Sequence, residues 1–258
     1  MFGLPHDASA GGFEIDNLLY YVHILMLLLF VGWGTFYLYT LVRFRQSRNP
    51  KANYEGAKTH ASSYLELTVA IIEAVLLISF SIPIYARVVA KIPSESESVL
   101  VRVVAQQFNW NFQYAGADGK LGKISPDKVD YNTGNTLGLD KSDPAALDDI
   151  IIESPCIEDT GECPLPMHIP VDQPVIVRLA SKDVIHSFGV PNLRVKQDAI
   201  PGMEIPLWFV AEEIGKFSIA CSQLCGDLHY SMKGLINVVS KDEFTKWLGE
   251  QTPAATLF

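Results

Sequence analysis

Residues 18–42 read LLYYVHILMLLLFVGWGTFYLYTLV, and the only side chain among them able to carry charge near neutral pH is His23. As a helix rising about 1.5 Å per residue, the stretch is about 37 Å long, enough to cross a hydrocarbon core of about 30 Å with some tilt. It is read as a transmembrane helix. A second run, residues 67–86 (LTVAIIEAVLLISFSIPIYA), is of the same length class but holds Glu73 inside and Pro83 near its end. A buried helix of a soluble domain could look like this, yet two such runs so close together favour a membrane hairpin. Between them Arg43, Arg45, Arg48, Lys51 and Lys58 face Glu55, with Glu66 directly before the second run. Short basic loops stay on the cytoplasmic side, so both termini are expected outside. The segment before residue 18 (MFGLPHDASAGGFEIDN) lacks the basic start, apolar stretch and small-residue cleavage site of a removable signal peptide, so the first helix is expected to direct insertion.

The anchor is placed at residues 1–91 and an outer domain at 92–258. Most of the acids lie in the latter, and the whole chain carries a formal charge of -9. That excess would steer basic partners toward the domain, although solubility alone accounts for many acidic surfaces. Nucleic acid is not expected among the partners. Residues 99–114 (VLVRVVAQQFNWNFQY) alternate and predict a strand bent near Gln106 and Gln107; residues 174–180, 207–211, 216–220 and 234–239 predict further strands. Short strands divided by Gly, Pro and Asp turns indicate an antiparallel sandwich or barrel. Ser240 and Glu243 form a capping-box pattern that opens a short amphipathic helix through Phe244, Trp247 and Leu248. Residues 115–166 have little periodicity apart from the apolar run 150–152 and read as an insertion. Cys156 and Cys163, in an outward-facing domain, are expected to form a disulfide that ties it down; metal binding by this pair is the lesser reading.

The chemistry lies in residues 221–232, CSQLCGDLHYSM. Cys221, Cys225, His229 and Met232 make a soft ligand set, suited to copper rather than to magnesium or calcium. A mononuclear blue-copper site needs one Cys, and here there are two. The second thiolate permits both sulfurs to bridge two coppers, each completed by one His and one weak ligand. A further His is then required, and His186, in DVIHSF at 183–188, is the best candidate; His168 is a weaker one, with a mainly structural role. The bland alternatives are a disulfide between Cys221 and Cys225, a core role for Met232, and zinc, which would leave the thioether without a use.

With these residues in view, the chain resembles subunit II of the haem-copper cytochrome c oxidases. The resemblance covers both apolar runs and almost all of the outer domain, and is carried by DVIHSFGVPNLRVKQDAIPG at 183–202 and by the CSxxCGxxHxxM line. It implies a two-helix transmembrane hairpin followed by an all-β cupredoxin-like Greek-key barrel. It also implies a binuclear copper A centre of two copper ions, with Cys221 and Cys225 as bridging thiolates, His186 and His229 as imidazole ligands, Met232 as the axial thioether and the Gln223 main-chain carbonyl as the other weak ligand. The family more often has Glu at 223, whose carboxylate binds magnesium at the boundary with the catalytic subunit; a neutral amide is a much poorer ligand for a hard cation, so that ion does not carry over. In the aromatic strand, Phe108 stands where the family has the Trp at the electron-entry surface, and Trp110 matches the second Trp. Glu66 matches a Glu at the mouth of a proton pathway. The family often has Pro where this chain has Glu73, an ionisable group costly at that depth unless it faces a partner.

The resemblance thus implies an electron-entry subunit of a respiratory oxidase. It would accept electrons from cytochrome c or an equivalent c-type donor and pass them to haem in a separate catalytic subunit I, with further oxidase subunits alongside. Oxygen reduction to water and proton translocation would belong to the whole complex. The expected setting is a bacterial-type inner membrane, with both termini and the copper domain on the periplasmic side. Rivals are a membrane-anchored copper-delivery or sensing protein of the same fold, and a nitrous-oxide reductase; the hairpin and the lack of a large His-rich domain argue against the latter. No CxxCH haem-attachment motif is present.

Overall fold

Helix α1 spans Gly12–Arg43 and α2 spans Ala61–Ala90, both long and apolar enough to cross a membrane. The computed structural model describes residues 3–51, 54–56, 58–154, 163 and 165–256. Large apolar side chains such as Phe30, Leu38, Ile71 and Ile78 stand exposed along the two helices, as in helices that meet lipid rather than a protein core. Each helix runs past the expected 18–42 and 67–86, because the polar residues at its ends include nothing that stops a helix. Within α2 the ladder widens to π-type turns at Leu77–Ser81 and Ala86–Ala90. Pro83 has no N–H to donate, and just before it the Ile82 N–H reaches back to the Leu77 carbonyl, one residue further than an α-helix allows. Arg87 Nη2 and Glu14 Oε2 pair at 2.6 Å.

Glu14–Val88 form one compact unit, and the residues up to Phe13 together with those from Val89 form the other. The second unit contains β1 (Val99–Gln106), β2 (Asn109–Tyr114), β3 (Ile150–Ser154), β4 (Met167–Pro170), β5 (Pro174–Ser181), β6 (His186–Val190), β7 (Val195–Ala199), β8 (Ile205–Val210), β9 (Gly215–Cys221) and β10 (Lys233–Val239), then helix α3 (Lys241–Gly249). They make two five-stranded sheets, ordered β3-β2-β1-β5-β8 and β4-β10-β9-β6-β7. This is the cupredoxin-like, all-β domain that the resemblance implied.

Three details differ from the expectation. Residues 99–114 are not one bent strand but a hairpin, with Gln106 opposite Asn109 and Val101 opposite Tyr114; alternation continues through a tight turn, so periodicity alone does not reveal the reversal. The sheets are mixed rather than antiparallel, since β1 runs parallel to β5 and β4 parallel to β10. The apolar run 150–152 is part of β3, an edge strand paired to β2.

Val101, Val103 and Ala105 of β1 alternate inward, with Trp110, Phe112 and Tyr114 of β2, against Phe188, Ile219, Ile236 and Val238 of the second sheet. The N-terminal segment joins this unit: Ala8 is buried in the core, its N–H donates to the Asn192 carbonyl and its carbonyl accepts from the Glu212 N–H. Ser240 Oγ accepts the Glu243 N–H at 3.2 Å, the expected cap of α3. The outward residues of β1 and β2 meet the insertion. Arg102 donates to Glu204, Gln113 and the Gly122 carbonyl, and Gln113 donates to Asp149.

Candidate metal centre

Strand β9 delivers Cys221 at its last position, and β10 starts directly after Met232. The loop between them closes on itself: the Met232 N–H donates to the Leu228 carbonyl, the His229 N–H to the Gly226 carbonyl, and the Cys221 N–H to the Met232 carbonyl. Gly226 has φ +136°, a conformation side chains rarely adopt. His186 opens β6, whose Phe188 pairs with Cys221, and the Ser222 N–H donates to the Ser187 carbonyl at 2.9 Å. Residues far apart in the chain are thus brought to one end of one sheet.

There the donor atoms converge. Cys221 Sγ lies 3.7 Å from Cys225 Sγ, 3.8 Å from His186 Nδ1 and 3.2 Å from the Gln223 carbonyl oxygen. Cys225 Sγ lies 3.5 Å from His229 Nδ1 and 3.7 Å from Met232 Sδ. His186 and Met232 are fully buried, and Cys225 nearly so. The ligand atoms of His186, Cys221 and Cys225 all lie within 4.8 Å of one another. A disulfide would hold its sulfurs about 2.05 Å apart, so the 3.7 Å separation is that of two free thiols. It is also short enough for one metal to reach both, since metal–thiolate bonds are about 2.3 Å. Sulfur, imidazole and carbonyl donors gathered in a partly buried cluster fit a soft ion such as copper.

The two thiols are not equivalent. Burial pushes Cys221 up, but its hydrogen bonds to His186 and to the backbone at Gln223 and Ser187 outweigh this and bring it down to about 6. Burial, and then the charge on Cys221, push Cys225 up to about 12. Burial also works against charging His186, but its bonds to Cys221 and Asp183 prevail and raise it. Cys221 is therefore the thiol that ionises first.

Two residues that the sequence reading passed over complete the site. Asp183 Oδ1 accepts from His186 Nε2 at 2.8 Å, leaving Nδ1 toward the sulfurs; a carboxylate fixing the tautomer of a ligating imidazole is a recurrent outer-shell device. Its position three residues before His186 was the available signal. Gln107 bonds to Asp183 and to Cys225, and nothing in the sequence marks it. Phe108 is half-buried beside Gly226, while Trp110 is fully buried with its ring centroid 6.3 Å from that of His186.

Other candidates lie elsewhere. His168 stacks on Trp247 with centroids 4.2 Å apart and is not part of this cluster. Glu66 and Glu73 are exposed on α2, one on its second turn and the other two turns on. Cys163 is disulfide-bonded, and Cys156 lies outside the described residues.

Residues 140–239 match the family model described as cytochrome c oxidase subunit II, periplasmic domain. Cytochrome c oxidase subunit 2 of Cereibacter sphaeroides is 33% identical over 224 residues, covering 85% of this chain and 69% of the relative. The alternative cytochrome c oxidase subunit 2 of Bradyrhizobium diazoefficiens is 35% identical over 162 residues, 63% of this chain and 54% of the relative, so the chain spans little more than half of that protein. A crystal structure of the periplasmic domain of subunit II of cytochrome oxidase from Bradyrhizobium japonicum superposes with a TM-score of 0.45 at 26% identity, over 62% of this chain and 95% of that one.

Proposed function

The chain belongs to the cytochrome c oxidase subunit 2 family, and from that premise we propose that it is the electron-entry subunit of a respiratory haem-copper oxidase, holding a binuclear copper A centre. The observation that carries this reading is the convergence of Cys221, Cys225, His186, His229, Met232 and the Gln223 carbonyl at one end of the second sheet. When bound, the copper pair supplies one-electron chemistry between a c-type cytochrome and the haem of a catalytic subunit I.

The chain's own residues do the rest. Both thiolates and both imidazoles hold the metal, and Asp183 orients His186. The buried Met232 and Cys225 keep water away, and strand pairing beneath the loop limits movement when charge changes. Phe108, half-buried at the edge of the site, serves as the entry contact, with Trp110 behind it; Phe108→Ala should slow donor oxidation and leave copper content intact. The neutral Gln223 speaks against magnesium at this position. The copper domain and both termini lie outside the cytoplasm, where a Cys156–Cys163 disulfide is stable. Peptide mapping without reduction should find that pair linked and Cys221 and Cys225 not linked to each other. Glu66 loads protons into the partner subunit from the cytoplasmic end of α2. Glu66→Gln should then slow oxygen reduction without changing the rate of copper reduction, and normal turnover in that variant would remove the assignment.

The decisive experiment is a metal count and a visible spectrum on the full chain. Two coppers per chain and a purple mixed-valence form are expected. A reproducible single copper, with Cys221 and Cys225 intact, would rule the binuclear reading out.

A further inference from the structure

We propose that Gln107 is a positioning residue for the metal centre, joining the loop that carries His186 to the loop that carries Cys225; the inference rests on the copper reading above. Gln107 sits in the β1–β2 turn, outside both ligand-bearing loops. Its backbone N–H donates to Asp183 Oδ2 at 2.7 Å, and the other oxygen of that carboxylate accepts from His186 Nε2 at 2.8 Å. Its side-chain Nε2 donates to the Cys225 carbonyl, also at 2.7 Å. One residue of a third loop thus grips the partner of one imidazole and the backbone of one thiol.

The fit is close. A Cβ at Gly226 would stand 2.8 Å from Gln107 Nε2 and 3.0 Å from Phe108 Cζ, so the absence of a side chain there is what lets the turn close on the ligand loop. Strand pairing fixes Cys221 and Met232, which lie at the ends of β9 and before β10, but Cys225 lies mid-loop, beyond the ladder. Its side chain packs into the core, and the Gln107 amide adds a hydrogen bond from another part of the fold to its carbonyl. An amide that merely satisfied a surface carbonyl would influence unfolding and nothing at the metal.

The test uses the full chain in detergent, with Gln107→Leu, which removes the donor, and Gln107→Glu, which keeps the shape but sets an acceptor against the Cys225 carbonyl. Losing an outer-shell partner typically costs about 10- to 100-fold in metal affinity. Copper release to excess chelator should therefore run about tenfold faster in Gln107→Leu and at least as fast in Gln107→Glu. The copper hyperfine pattern should change in both, with the unfolding midpoint before copper addition unaltered. Amide hydrogen exchange across residues 221–232 should also quicken in both variants without copper. Parent-like release, hyperfine pattern and exchange in both would overturn the proposal. Failure of the parent chain to hold two coppers would instead strike the copper reading, and the exchange measurement would then decide for or against Gln107 alone.

Discussion

Two buried polar clusters in the β domain are built on opposite logic. Around Arg102, on the outward side of the first sheet, the buried cation meets acceptors within the chain: the guanidinium donates to Glu204, Gln113 and the Gly122 carbonyl, and Gln113 and the Gly122 N–H both donate to Asp149. At the end of the second sheet, sulfur, imidazole and carbonyl donors instead point at one another. Ionising both thiols there would set two negative charges 3.7 Å apart in a partly buried place, a cost that the one raised imidazole, His186, shared between Cys221 and Asp183, offsets only in part. The first cluster pairs its guanidinium within the chain and leaves only one Asp149 oxygen over among its described groups, whereas the second gathers electron-pair donors that the copper reading would complete with cations. A converging set of electron-pair donors is therefore a stronger sign of a metal than the same residue types scattered along a surface.

The contrast breaks most severely at Cys225. If Cys221 and Cys225 hold a copper pair as proposed, Cys225→Ser, which replaces a soft thiol with a hydroxyl that stays protonated, should abolish copper uptake and the purple colour. The Arg102 cluster should be untouched, so the unfolding midpoint of the copper-free variant should stay close to that of the parent. Retention of two coppers by Cys225→Ser would mean that the thiolate does not bridge.

Arg102→Ala should do the reverse. Arg102 is buried but Glu204 is 41% exposed, so solvent screens the carboxylate left behind; the loss comes mainly from leaving the buried Gln113 and Gly122 acceptors unpaired, about 1–3 kcal/mol. Chemical denaturation should record a loss of that order, with the copper spectrum unchanged in the protein that remains folded. A shifted spectrum would show the two clusters to be coupled.

How much of this the sequence disclosed follows from how each part is held together. The anchor helices are legible because lipid demands an unbroken apolar run, and α3 because its Ser240 cap is local. The proposed ligands are legible because four of the five side chains sit within one short loop. His186 was a choice between two histidines that only the tertiary fold separates, since His168 packs on Trp247 instead. The parallel pairs β1–β5 and β4–β10 are long-range and leave no mark in local periodicity. Gln107 acts through a backbone N–H and one amide, groups that many glutamines could offer. The Arg102 cluster joins residues from two strands, a turn and the insertion, and no spacing in the sequence announces it.

Gly226→Ala sharpens the comparison from the metal side. At φ +136° and with Gln107 Nε2 only 2.8 Å from the new methyl group, the substitution should cost about 1–3 kcal/mol of backbone strain. Since the strain falls within the ligand loop, copper should be released faster in proportion. A variant that loses stability but keeps parent-like copper release would separate loop strain from metal retention.

The smallest effect is expected at Asp149, the imperfect member of the otherwise complete cluster. One of its carboxylate oxygens accepts from Gln113 and Gly122, while the other is buried without a partner. Burial raises its pKa from 3.8 to about 6, against the hydrogen bonds that favour the anion. A carboxyl whose folded pKa lies above its unfolded one binds its proton more tightly when folded. Its contribution to stability is thus fully present below about pH 4 and is lost as pH rises through about 6. His168 tilts the other way, because burial lowers its pKa and the folded state gains as that ring deprotonates. Stability of the parent against pH therefore mixes both slopes, and only the difference between parent and Asp149→Asn isolates the carboxyl. One pKa unit is worth about 1.4 kcal/mol, and solvent screening reduces the net effect, so Asp149→Asn should gain on the order of 1 kcal/mol at pH 7 relative to pH 4. Arg102 lies close enough to favour the anion, so the gain should grow when Asp149→Asn is made in an Arg102→Met background. An equal gain in both backgrounds would show that the guanidinium does not act on Asp149, and that the cluster is held by its neutral hydrogen bonds and by Glu204 alone.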